Sequence, residues 1–256
     1  MKHFEERVAV ITGAAGGLGR ALAGVAAGLG MKLVLADIDS DELERVTETL
    51  QAGGAEVFSM VCDVRKCSHV EELADAAMIR FHAVHLLFNN AGVAAGGPVW
   101  EHTEADWEWL LGVNLWGAIH GVRIFTPLML GCAARDADYA GHIVNTAPLA
   151  LATGAVAERG VAALTETLRA DLAAAGAPVG ASLLYPGMMA TGLAGAVRHR
   201  PHELDSDRAP SSAKQAAQAL LERAIAAGAV VPAMVAQIVF DAIRNGTFEI
   251  RSDGAE

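Results

Sequence analysis

RVAVITGAAGGLG, residues 7–19, sets the architecture of this 256-residue chain. Residues 7–13 form a short apolar, β-branched run, the composition of a parallel strand buried on both faces. The turn after it is rich in glycine, and residues 18–29 are small and helix-permissive. A strand, a glycine turn and a helix in that order let the backbone turn sharply. They also aim the helix's free N–H groups and positive end at a phosphate. An acid at the end of a second strand (residues 32–37), Asp37, lies 18 positions beyond Gly19. There it can accept hydrogen bonds from ribose hydroxyls and repel an extra phosphate.

The alternation continues along the chain. A helix is predicted over 39–51, with Leu43, Val46 and Leu50 on one face. A third strand is predicted over 56–64 and a helix opening on the capping-box pattern Ser68 to Glu71. A fourth strand covers 85–90. A long helix covers about 105–130, starting near Thr103 to Asp106 and ended or kinked by Pro127. Strands at 142–147 and 179–185 flank an Ala-rich helix at 156–175. Helices at 212–227 and 232–244 precede a last short strand at 248–250. Such repeated units predict one α/β domain over 1–256: a Rossmann-like, doubly wound parallel sheet of about seven strands with helices on both faces. Residues 197–212, rich in His, Arg, Pro and Asp, read as a mobile surface loop or a lid over a ligand, the lid taking in 192–212.

Composition narrows the function. Nineteen Lys and Arg against 30 Asp and Glu give a formal charge of −11, which argues against a nucleic-acid partner. Three cysteines form neither a disulfide framework nor a zinc pattern, and Cys62 and Cys67 read as small buried hydrophobes. No metal site is expected. The charged amino terminus and the short apolar run at 21–31 point to a cytoplasmic protein without a membrane anchor.

Further motifs follow in order: Asp63-Val64, Asn89-Asn90-Ala91-Gly92, Asn114 in VNLWG, and Pro186-Gly187 with Thr191. Together with TGAAGGLG (residues 12–19), this series resembles the classical short-chain dehydrogenases/reductases over nearly the whole chain. The resemblance implies an alcohol/ketone oxidoreductase. It implies a nicotinamide dinucleotide held by Thr12, Gly13, Gly17, Leu18, Gly19, Asp37, Ile38, Asp63, Val64, Asn90, Ala91, Gly92, Pro186, Gly187 and Thr191. It makes Asn114 the catalytic candidate. No Arg follows Asp37, where the sequence continues Ile38-Asp39-Ser40, so NAD is favoured over NADP. Asp39 reads as a solvated strand-end acid. The family assembles through its long helices, which implies a homo-oligomer, a dimer or tetramer, or a hetero-oligomer with an active relative.

The resemblance breaks where the chemistry lies. Carbonyl reduction in this family uses a Ser and a YxxxK pair, because the alkoxide formed by hydride addition must be protonated. Here Pro148 falls in the Ser slot. Counting back from residues 160–166 places Glu158 in the Lys slot and Gly154 in the Tyr slot. No Lys occurs from Ala140 to Tyr185, and neither Tyr139 nor Tyr185 has a Lys four residues on. The pattern predicts a protein that holds NAD(H) but lacks conventional turnover. The alternative is an active enzyme with a surrogate donor, Tyr185 being one candidate, or an unusual small-molecule substrate. His120 reads as an ordinary helix histidine, and His82, His85, His142, His199 and His202 as lacking an acid partner. Glu158 reads as a solvated helix residue or a ribose acceptor.

Overall fold

A computed structural model describes residues 1–147, 154–205 and 209–252. Seven strands form one parallel sheet: β1 (Val8–Thr12), β2 (Lys32–Asp37), β3 (Val57–Val61), β4 (Leu86–Asn89), β5 (Gly141–Thr146), β6 (Val179–Tyr185) and β7 (Glu249–Arg251). Their order across the sheet is β3-β2-β1-β4-β5-β6-β7, so the chain reverses its direction of travel between β1 and β4. A crevice opens at such a switch point, at the carboxyl ends of the strands.

The apolar strands bury both faces, with side chains alternating between two cores. Ala9, Ile11, Leu33 and Leu35 pack with Leu18, Leu22 and Ala26 of α1 (Gly17–Gly28) and with Val235, Val239 and Phe240 of α8 (Pro232–Asn245). Val8, Val10, Val34 and Ala36 face the other way. They meet Val70, Leu73 and Ala77 of α3 (Cys67–Phe81), Phe125 and Met129 of α5 (Gly117–Ala133), and Leu168 and Leu172 of α6 (Gly154–Ala174). α2 (Ser40–Ala52) covers the β2 edge of the first core through Leu43 and Val46. The expected doubly wound, seven-stranded sheet is therefore what forms.

Three local expectations change. α3 starts at Cys67 after Lys66, without a side-chain cap, so the predicted Ser68–Glu71 box does not form. The third strand stops at Val61, because the end of β2 leaves residues 62–64 little to pair with; the Cys62 N–H still reaches the Asp37 carbonyl at 2.8 Å. Of the two outcomes expected at Pro127, an end or a kink, the end does not occur: the helix runs on to Ala133. Pro127 and Arg123 are both exposed, so the carbonyl that loses its donor faces water. The interruption comes earlier: α4 (Glu104–Leu111), capped by a reciprocal Thr103–Asp106 box, widens into a π-helical turn over Gly112–Trp116 before α5.

Candidate active site

The glycine turn forms the floor of the crevice. Gly13 and Gly17 take positive φ values of +67° and +51°, a region open to glycine. A Cβ at Gly19 would lie 2.0 Å from the Gly13 carbonyl oxygen, so only hydrogen fits where α1 crosses the turn. No side chain caps the first turn of α1 and no acid sits in it. Its N–H groups therefore stand free at the crevice, which suits a phosphate anion.

Thr12 and Gly19 lie one layer behind this surface. The Thr12 hydroxyl donates to the Phe88 carbonyl at 3.2 Å and accepts from the Asn90 and Ala91 amides at 3.0 and 3.2 Å. That one side chain ties β1 to the loop after β4. The Asn90 amide group adds a 3.1 Å bond to the Thr12 carbonyl.

A cavity of about 400 Å³ runs along the strand ends. Gly13, Gly17 and Leu18 line it at the turn. Asp37, Ile38, Asp63 and Val64 line one end; Asn90, Ala91 and Gly92 the middle; Asn114, Pro186, Gly187 and Thr191 the other side. Asp37 is oriented by two backbone amides, Ala15 to Oδ2 at 2.9 Å and Asp39 to Oδ1 at 3.1 Å. Asp63 is gripped by a fork from Arg65, 3.0 Å from Nε and 2.6 Å from Nη2. The buried His120 ring bonds the Val64 carbonyl at 2.9 Å, so this helix histidine fixes the loop beneath.

Asn114 sits in the π-helical turn and is 4 % exposed. Its Oδ1 accepts from the Val93 amide and its Nδ2 donates to the Val93 carbonyl, both at 2.8 Å. The carboxamide thus holds the loop after β4 against the helix.

The far end of the cavity is apolar, with Val93, Ala94, Trp109, Leu110, Val113, Met189, Leu193 and Ala196 in its wall. Thr146 and Thr191 bring hydroxyls, and Gly154 enters the lining at the start of α6. Among the described residues no Tyr, Lys or Cys side chain other than Cys62 lines this cavity. The Cys62 thiol is buried and pushed up to about 12, chiefly by that burial. Tyr185 lies outside the cavity with the Arg251 guanidinium 4.5 Å above its ring. Burial, then Glu249 and Glu158, raise its phenol above the ordinary value, the wrong direction for a proton donor at neutral pH. Glu158 is half-buried and does not line the cavity. Pro148 lies outside the described residues.

The segment after β6, expected as a loop or lid over 192–212, makes ion pairs that sequence reasoning missed. Gly192–His199 and His202–Leu204 form 3₁₀ turns, and side chains of this segment reach Asp39, Arg65 and Asp106. His199 lies 3.3 Å and Arg198 3.8 Å from Asp39, so His199 does have an acid partner and Asp39 is not a freely solvated acid. His202 also has one, 3.2 Å away in Asp205. Glu203 reaches Arg65 at 3.6 Å. Arg200 bonds the buried Asp106 of α4 at 2.5 Å, and Lys214 of α7 (Ser212–Ala226) bonds the same carboxylate. Burial alone would raise the Asp106 pKa; the bonds from Lys214, Arg200 and the Thr103 amide outweigh it and hold the group well below the usual carboxylate range. Apart from His202–Asp205 and the Thr103–Asp106 bond, these contacts join residues far apart in sequence. Cys67 departs from its expectation as well: it is half-buried, with Glu71 3.2 Å away and Arg123 at 2.6 Å.

Comparison with known proteins agrees with this architecture. Residues 7–202 match the family model described as short chain dehydrogenase. The chain belongs to the short-chain dehydrogenase family. Within that family it is 47 % identical to a short-chain dehydrogenase/reductase from Burkholderia phymatum solved in complex with NAD, with a TM-score of 0.94 over 98 % of this chain and 90 % of that one. The CLA biosynthesis dehydrogenase/reductase of Lactiplantibacillus plantarum is 32 % identical over 98 % of this chain and 89 % of its own. The 1-deoxy-11-beta-hydroxypentalenate dehydrogenase of Streptomyces avermitilis is 36 % identical over 74 % and 71 %. Among the described residues no helix is long and apolar enough to cross a membrane, and no cluster of His, Cys, Asp or Glu could hold a metal.

Proposed function

We propose that this short-chain dehydrogenase binds NAD(H) but is lost to, or severely impaired in, conventional carbonyl reduction, serving as a pseudoenzyme or a non-catalytic subunit. Uncapped N–H groups at Gly17 and Leu18 would receive the pyrophosphate, and Asp37, with lone pairs left after its two amide bonds, the adenosine ribose. Asp63, Val64 and Ile38 flank the adenine end. Asn90, Ala91, Gly92, Pro186, Gly187 and Thr191 flank the nicotinamide end. Bound there, the dinucleotide would supply or accept hydride.

One observation carries the reading: the apolar end of the cavity holds no phenol, ammonium or imidazole among its described lining residues. His199, the imidazole in the lining, sits at the opposite, adenosine end beside Asp39. Thr146 could orient a carbonyl oxygen, but an alcohol is no acid near neutral pH. Asn114 spends its amide on Val93. Losing a general acid costs about 10²–10⁴-fold. A second reading, an active NAD-dependent oxidoreductase with an unusual substrate or donor, draws on the intact glycine turn and on relatives named as dehydrogenases. Titrating NADH by its fluorescence and then assaying ketones and secondary alcohols separates the two. Binding without turnover supports the first, binding with turnover the second, and absence of binding removes both.

A homo-oligomer is part of this proposal. Trp116, just before α5, is 52 % exposed and Val156 of α6 is 49 % exposed. Large apolar side chains on neighbouring helices favour a covered surface. Light scattering is expected to give a dimer or tetramer mass; a monomer at micromolar concentration would refute it.

A further inference from the structure

We propose that Asp39 is a cofactor-selecting residue that works through the 192–204 segment: it holds Arg198 and His199 away from the ribose 2′ position. The inference rests on the dinucleotide reading above. The Asp39 carboxylate divides its work. Oδ1 caps α2 through the Glu42 amide at 3.2 Å, and Oδ2 faces His199 Nε2 at 3.3 Å and Arg198 Nη2 at 3.8 Å. All three residues line the same end of the cavity as Asp37 and Ile38. The Asp39 amide bonds Asp37 Oδ1, so the two carboxylates are fixed side by side.

Asp37 is followed by no Arg in the chain, yet an Arg arrives at this edge through space. Unpaired, Arg198 would attract the extra phosphate that Asp37 repels. Arg20 and Glu42 also line this end. Counting Arg20, Arg65 and Arg198 against Asp37, Asp39, Glu42 and Asp63, the edge carries a formal net charge of −1, histidine left uncounted. Removing the Asp39 charge brings it to zero and releases the guanidinium. Its further described bond is a 3.5 Å contact to the Gly195 carbonyl. The segment itself stays anchored, because Arg200 on Asp106 and Glu203 on Arg65 do not involve Asp39.

The test measures affinities, not activity. Asn caps a helix as well as Asp, so Asp39→Asn keeps α2 while deleting the charge. NADH and NADPH are titrated by fluorescence against the wild type, Asp39→Asn, and the triple variant Asp39→Asn/Arg198→Ala/His199→Ala. Asp39→Asn is expected to tighten NADPH binding about tenfold relative to NADH, and the triple variant to lose that gain. An unchanged NADPH-to-NADH ratio in Asp39→Asn overturns the proposal, as does a gain that survives in the triple variant. If wild type and variants bind neither nucleotide, the dinucleotide reading fails as well. NADH binding without the ratio change sinks this inference alone.

Discussion

Gly19→Ala is expected to weaken NADH binding about ten- to a hundredfold and to lower the melting temperature. The added Cβ would stand 2.0 Å from the Gly13 oxygen, 2.7 Å from its carbonyl carbon and 2.8 Å from the Asn90 amide nitrogen. Two of those atoms are backbone. Gly13 cannot retreat easily, because its own Cβ position is already 2.8 Å from Ala91 Cα and its φ is +67°. Relief must come from α1 moving off the turn, which takes the N–H groups away from the phosphate position. Overpacking typically costs about 1–3 kcal/mol. Gly24→Ala is the control on the same helix. Nothing lies within 4 Å of its Cβ position, and it is exposed. That change is expected to be neutral or to stabilise by about 0.5–1 kcal/mol. Equal effects of the two substitutions on NADH affinity and melting would contradict the close approach at Gly19.

Acid is expected to destabilise the protein well above the carboxylate range, through two buried histidines. His85 is lowered to about 4, first by burial and then by the Arg7 charge. Its Nδ1 accepts from the Val8 amide at 3.1 Å and its Nε2 faces an Arg7 nitrogen at 3.0 Å, so donors approach from both sides and an imidazolium has no acceptor. His142 is lowered to about 4, mainly by burial. Its Nε2 meets the Ser182 hydroxyl at 2.7 Å. That hydroxyl donates onward to the Thr247 carbonyl at 2.6 Å, which makes the Nε2–H tautomer the donor.

In both cases the folded pKa lies below the unfolded value of about 6.5, so between pH 6.5 and 4 the unfolded chain binds more protons. Stability is full above about pH 6.5 and falls as pH drops through that window, by about 2 kcal/mol per histidine at pH 5. Against a whole-domain stability of about 5–15 kcal/mol, that is a large share. Urea midpoints at pH 7.5 and pH 5 measure it. A flat profile would contradict the neutral assignment, and His142→Gln should remove about half of the slope.

The elements that sequence reading places correctly are those set by local pattern. The apolar β-branched run at Val8–Thr12 and the Ala-rich α6 need no distant partner to be recognised. The glycine turn is legible because positive φ and close approach at Gly13, Gly17 and Gly19 exclude other residues. Other features depend on what lies across space. Pro127 survives in α5 because its neighbours on that face are water, which a one-dimensional pattern does not show. Asn114 falls on a π-helical turn and bonds Val93 in a loop 21 residues upstream. Asp39 looks like an ordinary surface acid until Arg198 and His199 arrive from the segment after β6. Asp106 reads as one half of a capping box; its role as the anchor for Arg200 and Lys214 spans 94 and 108 positions.

We propose a dinucleotide crevice in which no described lining residue can protonate a nascent alkoxide. NADH oxidation in the presence of a broad ketone panel tests it most directly, with occupancy first established by nucleotide fluorescence. At saturating NADH, turnover is expected at least about a hundredfold below that of a family member with a general acid. Turnover in the ordinary enzymatic range of about 1–10³ s⁻¹ would contradict it.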